Sequence, residues 1–118
     1  MITKRTAILV IGCVVAMLSG CSSDRSKRER ALRDDLTNLR SSVDQYMQQH
    51  GQRPRSFQDL IVDRYIREVP VDPMTGRTDT WILRIGSDPR NPKEPPGILE
   101  IHSGSGDVGS DGRPYSSW

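Results

Sequence analysis

His102 and Ser103 are of the residue types that hydrolases use as base and nucleophile, and Asp107 follows shortly after them. A histidine can activate a serine hydroxyl only when both side chains meet in one site. Successive residues of a strand point to opposite faces, and the segment around His102 has the pattern of a strand. A nucleophile elbow also requires a turn from strand to helix, which does not follow here. We therefore predict no catalytic residue, and we expect the protein not to be an enzyme.

Three glycines in the same region, Gly104, Gly106 and Gly109, match the G-x-G-x-x-G fingerprint of dinucleotide-binding folds. That fingerprint places a pyrophosphate at the N-terminus of a helix that follows the glycines. Here the residues after Gly109 include Gly112 and Pro114, and no helix is predicted among them. We therefore expect neither nucleotide binding nor a small-molecule substrate.

At the other end of the chain, Cys21 follows a segment with the organisation of a secretory signal peptide. Lys4 and Arg5 precede the apolar run 7–18, and small residues lie directly before the cysteine. The run has twelve residues, whereas a membrane-spanning helix needs about 20. We predict that residues 1–20 are a signal peptide.

The tetrapeptide Leu18-Ser19-Gly20-Cys21 resembles the lipobox of bacterial lipoproteins. The resemblance implies cleavage before Cys21, diacylglycerol on its sulfur, and acylation of the new amino group by a fatty acid such as palmitate. Several acyl chains anchor a protein stably, whereas one chain alone binds a membrane marginally. The alternative is an ordinary signal peptide that leaves a cysteine nearby. Ser22 resembles the outer-membrane sorting pattern, so we expect a protein anchored in the envelope, facing the periplasm, at the outer rather than the inner membrane.

Removal of the predicted signal peptide also changes the charge and the thiol content of the chain. Cys13 leaves with it, so the mature chain would contain no disulfide or cysteine metal site. Loss of Lys4 and Arg5 leaves fifteen basic residues against fifteen acidic ones, which does not favour nucleic-acid binding. Residues 21–30 are predicted to be the lipidated cysteine and a polar tether. Its four basic residues either attract acidic headgroups or belong to a neutralised spacer: Arg25, Lys27, Arg28 and Arg30.

The remainder, 31–118, is predicted to be one α+β domain. Apolar residues at spacings of three and four predict an amphipathic helix over 27–49, ended by Gly51. Ser56 with Asp59 predicts the start of a short second helix. Strands are predicted at 80–85 and 98–102, so the long helix would pack on a small antiparallel sheet. Tyr115 and Trp118 would pin the final loop to the sheet or bind a partner.

The order of motifs resembles the soluble domain of type II secretion pseudopilins, particularly the major, G-type subunit. The resemblance is carried by the turn Val69-Pro70-Val71-Asp72-Pro73-Met74-Thr75-Gly76, by Trp81, and by the tail from Ile101 to Trp118. It implies a long N-terminal helix, a small antiparallel sheet and a Gly/Asp-rich C-terminal loop. The family's N-terminus is absent, because pseudopilins have a hydrophobic stem with glutamate at its fifth position, whereas Arg25 occupies position five after Gly20.

The resemblance also implies a calcium site, since major pseudopilins bind calcium in the corresponding loop. Asp107 and Asp111 match the acidic positions of that loop approximately. Carboxylate and backbone oxygens suit this hard cation, although the loop lacks the EF-hand spacing. The alternative is a solvated loop with aspartates in its turns.

Together these features predict a membrane-anchored lipoprotein that acts as a structural component of, or accessory to, type II secretion, contacting pseudopilins or other subunits. Two alternatives remain open at this stage. One is a free-standing envelope lipoprotein that binds a metal or another ligand. The other is an atypical fibre-forming pseudopilin that uses residues 7–18 as a shortened stem.

Overall fold

The computed structural model describes the backbone of residues 2–118 and the side chains of residues 24–118. The predicted signal peptide, 1–20, and the side chain of Cys21 therefore lie outside the described side chains. The elements are α1 (Ile2–His50), α2 (Phe57–Val62), β1 (Ile82–Gly86), β2 (Gly97–His102) and a 3₁₀ turn (Tyr115–Ser117). Within the described residues, no helix combines the length and apolarity needed to cross a membrane.

The long helix α1 supplies half of the buried apolar core. Its buried apolar residues recur at spacings of three and four, as the sequence predicts: Leu32, Leu36, Leu39, Val43 and Tyr46. The helix ends where Gly51 takes a left-handed φ of 71° and its N–H bonds to the Met47 carbonyl at 2.8 Å. This confirms the predicted C-terminal cap. The helix is longer than the predicted 27–49, because residues 24–30 contain no Gly or Pro to interrupt it and are helical too.

The sheet has two antiparallel strands, with Ile82 opposite His102 and Arg84 opposite Glu100. A bulge follows Arg84. Ile98 and Ile101 of β2 are fully buried and join the leucines of α1 in one hydrophobic core. The α+β prediction is confirmed, with β1 displaced from the predicted 80–85 and β2 one residue longer than predicted.

The short helix α2 starts after Ser56, as predicted, but its cap differs from the expected one. The Ser56 side chain makes no capping hydrogen bond. Instead, the Asp59 carboxylate accepts a hydrogen bond from the Arg55 N–H at 2.9 Å, one residue further back. The helix then buries Leu60 in the core beside α1.

We predict that Gly104→Ala destabilises the fold whereas Gly106→Ala does not. A Cβ added at Gly104 would lie 2.0 Å from the Thr80 carbonyl oxygen, and backbone cannot move away cheaply. No atom lies within 4 Å of a Cβ added at Gly106. Thermal or urea unfolding of the two variants should differ by about 2 kcal/mol, the typical cost of overpacking. Equal stability of the two would show that Thr80 does not approach Gly104 closely.

Candidate functional site: the C-terminal loop and its two carboxylate anchors

The Asp72 carboxylate is the first of two anchors that hold the C-terminal loop. Its side chain is fully buried. Oδ2 accepts hydrogen bonds from the Ser103 hydroxyl at 2.7 Å and from the Gly104 N–H at 3.0 Å. Oδ1 accepts from the Met74 N–H at 2.9 Å. Asp72 thus joins its own turn to the point where the chain leaves β2.

The turn that carries Asp72 has the extended entry and tight return that its prolines and glycine predict. The Asp72 N–H bonds to the Arg77 carbonyl, and the Gly76 N–H returns to the Asp72 carbonyl at 2.8 Å. Gly76 has a φ of 73°, which favours glycine. Trp81 closes the base of the turn by donating from Nε1 to the Pro70 carbonyl at 2.8 Å. The motif is therefore a rigid support for the buried carboxylate.

The second anchor is Glu29, a carboxylate on the buried stripe of α1 that is only 4% exposed. Ser110 donates to it twice, from its N–H at 2.8 Å and from its hydroxyl at 2.5 Å. The Tyr115 hydroxyl donates at 2.8 Å, and Arg25 Nε lies 3.4 Å away. We call Glu29, Ser110 and Tyr115 the tail clamp, because together they fasten the last part of the chain to the long helix.

The tail clamp holds Glu29 in its charged form. The Ser110 hydroxyl contributes most to lowering the pKa of Glu29, from 4.5 to about 2, and the Tyr115 hydroxyl, the Ser110 N–H and Arg25 add to this. Burial of the carboxylate opposes the shift without reversing it. Burial, followed by the bond to Glu29, raises the pKa of the Tyr115 hydroxyl. The clamp is therefore an ionised carboxylate with neutral hydroxyl donors at neutral pH.

Trp118 extends the clamp along α1. Its ring packs edge-on against Tyr115 with centroids 5.0 Å apart, and the Arg33 guanidinium lies 4.5 Å above the indole. Arg40 donates to the backbone oxygens of Trp118 and Ile101, at 2.6 and 2.8 Å. The sequence predicted that these aromatic residues pin the loop on the sheet. The 3₁₀ turn that carries Tyr115 contacts β2, as predicted, and Glu29 and the two arginines of α1 add polar partners from the helix.

The predicted calcium ligands lie in the clamped loop, and one of them is paired with an arginine. Asp111 accepts hydrogen bonds from the Arg113 N–H and Nε, both at 3.0 Å, and these contacts lower the pKa of Asp111. Asp107 is exposed, and its backbone bonds to Ser105 and Tyr115. Among the described residues, no group of three metal-ligating side chains comes together. A cation using Asp111 would have to displace Arg113.

The residues that suggested other chemistry have packing roles. The Ser103 hydroxyl is buried on Asp72, whereas His102 Nε2 lies 3.5 Å from Glu100 on the other face of the strand. Gly104 is required by the close approach of Thr80. Thus β2 does not bring His102 and Ser103 together, and the first glycine of the fingerprint has a steric role.

A third polar cluster fixes the connection between the strands. Arg53, just after α1, lies 3.7 Å from both Asp88 and Glu94, and these side chains are mostly buried. No described residue donates a hydrogen bond to the Glu94 carboxylate. The pKa of Asp88 is about 2. Hydrogen bonds from the Arg90 side chain lower it most, and the Arg90 N–H and the charge of Arg53 lower it further. The cluster attaches the loop 87–96 to the end of the helix.

Sequence reasoning missed the roles of Glu29 and Asp72. Glu29 carries a signal in hindsight, because it precedes Leu32 and Leu36 at helical spacing on the apolar stripe. A charged residue on such a stripe needs a buried partner.

No protein-family model matches this chain, and neither a curated protein nor a solved structure matches it.

Proposed function

We propose that this chain is a lipid-anchored envelope protein whose pseudopilin-like head is a structural component of, or accessory to, type II protein secretion. The observation that supports this most is the combined role of Asp72 in the head. It lies in the turn on which the family resemblance depends, and its carboxylate holds the tail that completes the resemblance. The turn and the tail thus form one packed unit rather than two unrelated sequence matches.

The anchor supports the same proposal. A lipid on Cys21 would hold the protein where a pseudopilin uses its hydrophobic stem, and α1 continues without interruption from Asp24 into the core of the head. The head would then contact other subunits through exposed surface while its anchor remains in the membrane. The protein acts by binding, and acyl chains replace the stem that would build a fibre.

Strand β1 offers the most suitable contact surface on the head. It forms one edge of the described two-stranded sheet, and edge strands can pair with an extended segment of another chain. Ile82 and Ile85 of this strand are about half exposed. An apolar side chain at an open edge is suited to a protein partner, so we place the subunit contact at β1.

Co-purification tests the proposal. The full lipidated chain, extracted in mild detergent after cross-linking in the cell, should recover pseudopilin subunits of the type II machine. Ile85→Asp should reduce this recovery. Val62→Asp, an equally drastic change at an exposed position on α2, should not. Absence of every secretion subunit from the wild-type sample would overturn the proposal and favour a free-standing lipoprotein.

We also propose that the clamped loop binds calcium through Asp107, whose exposed carboxylate accepts no hydrogen bond from the described residues. Added calcium should then raise the melting temperature, and the gain should disappear in Asp107→Asn. Binding at a hundred times the dissociation constant would stabilise the fold by about 2.7 kcal/mol. Magnesium is the control ion, because its stricter octahedral geometry does not suit such a loop. An unchanged melting temperature at millimolar calcium would contradict the proposal.

A further inference from the structure

The membrane-proximal end of α1 separates its charges between two faces. Glu29 is turned into the head and held by the tail clamp, whereas Lys27, Arg28 and Arg30 are exposed. At about 100° per residue, Lys27 projects almost opposite Glu29, and the two arginines project to either side. The sequence of this segment mixes acidic and basic residues, but the helix sorts them onto different faces. The exposed side is a cationic outer face, which we define as Lys27, Arg28 and Arg30.

Little negative charge offsets this cationic outer face. The sequence contains no acidic residue before Asp24, and Arg25 is the basic residue that pairs with Glu29, at 3.4 Å. Among the side chains described, none forms an ion pair with the three exposed cations. Asp24 is the one exposed acid among residues 24–30, while Asp107 precedes Val108 in the loop and Asp34 lies one turn beyond Arg30, further from Cys21. The face therefore keeps a net positive charge at neutral pH.

The same end of the molecule also exposes an apolar side chain. Val108, at the tip of the C-terminal loop, is 56% exposed, and its carbonyl accepts a hydrogen bond from Arg25 Nη2 at 3.1 Å. Arg25 follows Cys21 by four residues, about 6 Å along a helix. The loop tip thus lies beside the part of α1 that is closest to the predicted lipid. Apolar side chains flanked by basic ones are typical of surfaces that bind the membrane interface.

We propose that this end of the molecule, the cationic outer face together with Val108, docks on an anionic phospholipid surface beside the acyl chains. The inference rests on the anchor at Cys21 that the proposed function includes. Lys27 follows Cys21 by six residues, about 9 Å along the helix, and helical side chains lean toward the N-terminus. Its ammonium group therefore lies within the distance of about 10 Å over which headgroup charge acts at 0.1 M salt.

The docking has a consequence for the position of the head. Each basic side chain near an anionic surface favours contact by roughly fivefold, so three of them bias the helix strongly toward the headgroups. The contact is end-on: Glu29 locks the loop to the side of α1 opposite Lys27, so Val108 and the cations surround the tip of the helix and approach the membrane together. The tail clamp thereby couples the orientation of the whole head to the membrane surface. Without it, the head would rotate freely about the lipid anchor.

A fluorophore on a Ser26→Cys variant of the full, lipidated chain tests this inference. Reconstituted vesicles would contain phosphatidylcholine alone or phosphatidylcholine with phosphatidylglycerol, plus a lipid with a quencher at its headgroup. At low salt, quenching should be at least about threefold greater on the anionic vesicles, and high salt should remove the difference. Changing Lys27, Arg28 and Arg30 to Glu should remove it as well.

The matched control changes Arg55, Arg64 and Arg67 to Glu, three exposed cations near α2 that alter the net charge equally. This variant should keep the wild-type difference. Equal quenching of the wild type on both vesicles, or an unchanged difference in the Lys27, Arg28 and Arg30 variant, would overturn the inference. The mass of the N-terminal peptide from the same sample reports separately on the anchor, so the two proposals can fail independently.

Discussion

In the Asp72→Ala variant, the free energy of unfolding should fall by about 4 kcal/mol, the largest loss that we expect from any single substitution in this domain. The change removes a fully buried carboxylate that accepts three hydrogen bonds. It leaves the Ser103 hydroxyl and two backbone N–H groups without partners. An unsatisfied buried donor costs about 1–3 kcal/mol, so three of them account for the loss. Urea unfolding followed by circular dichroism measures it.

Ser103→Ala is the matched control for Asp72. It removes one of the three hydrogen bonds to the carboxylate, together with the 3.2 Å bond from the Ser105 N–H to the Ser103 hydroxyl. The carboxylate keeps its two backbone donors, so the cost should be about 1–2 kcal/mol. Asp72→Ala should therefore cost at least twice as much as Ser103→Ala. A loss below about 1 kcal/mol for Asp72→Ala would contradict the anchoring role, since that is the effect of an ordinary substitution.

Glu29→Ala should release the C-terminal loop and lower the free energy of unfolding by about 3 kcal/mol. Ser110 and Tyr115 would lose their shared acceptor, and Arg25 would lose its ion-pair partner. Hydrogen exchange locates the effect, because protection should fall in residues 106–118 more than in β2. Equal loss of protection throughout the domain would contradict a specific clamp.

Acid should weaken the tail clamp over a defined pH range. The pKa of Glu29 is about 2 in the folded protein and 4.5 without its partners, so the unfolded chain binds the proton more readily. The stability that Glu29 contributes is therefore complete above about pH 5 and is lost as the pH falls toward 2. Other carboxylates with lowered pKa, such as Asp88, titrate in the same range.

Glu29→Gln isolates the contribution of Glu29 to this acid sensitivity. The amide keeps the shape of the side chain but has no charge to lose, so its stability should fall less than that of the wild type between pH 5 and pH 2. Thermal unfolding at a series of pH values gives both curves. If the two curves run parallel over the whole range, Glu29 does not titrate as the clamp requires.

Much of the fold follows from local patterns. Leu32, Leu36 and Leu39 repeat at the period of a helix, and Gly51 supplies the left-handed residue that ends it. The segments before and after the prolines of the β1–β2 loop are short runs rich in isoleucine, a residue that favours strands. These features depend on residues close together in sequence, which is why α1 and the two strands could be predicted.

The two anchors depend instead on contacts between distant residues. Glu29 meets Ser110 across 81 positions, and Asp72 meets Ser103 across 31. Nothing local distinguishes Glu29 from the other charged residues of its helix, and Asp72 reads as an ordinary turn residue. Their burial is decided only when the tail folds back over α1. The N-terminal part of α1 differs from the prediction for another reason: residues 24–30 have the polar composition of a tether, but they contain no helix breaker.

The mass of the mature N-terminus tests the central claim most directly. The protein would be purified from membranes, digested, and its first peptide measured by mass spectrometry. We predict that this peptide begins at Cys21 and carries diacylglycerol on the sulfur, with a further acyl chain where the amino group is modified. A peptide that begins elsewhere with an N-methylated residue, or an unmodified Cys21 in membrane-extracted protein, would contradict the lipid-anchored head.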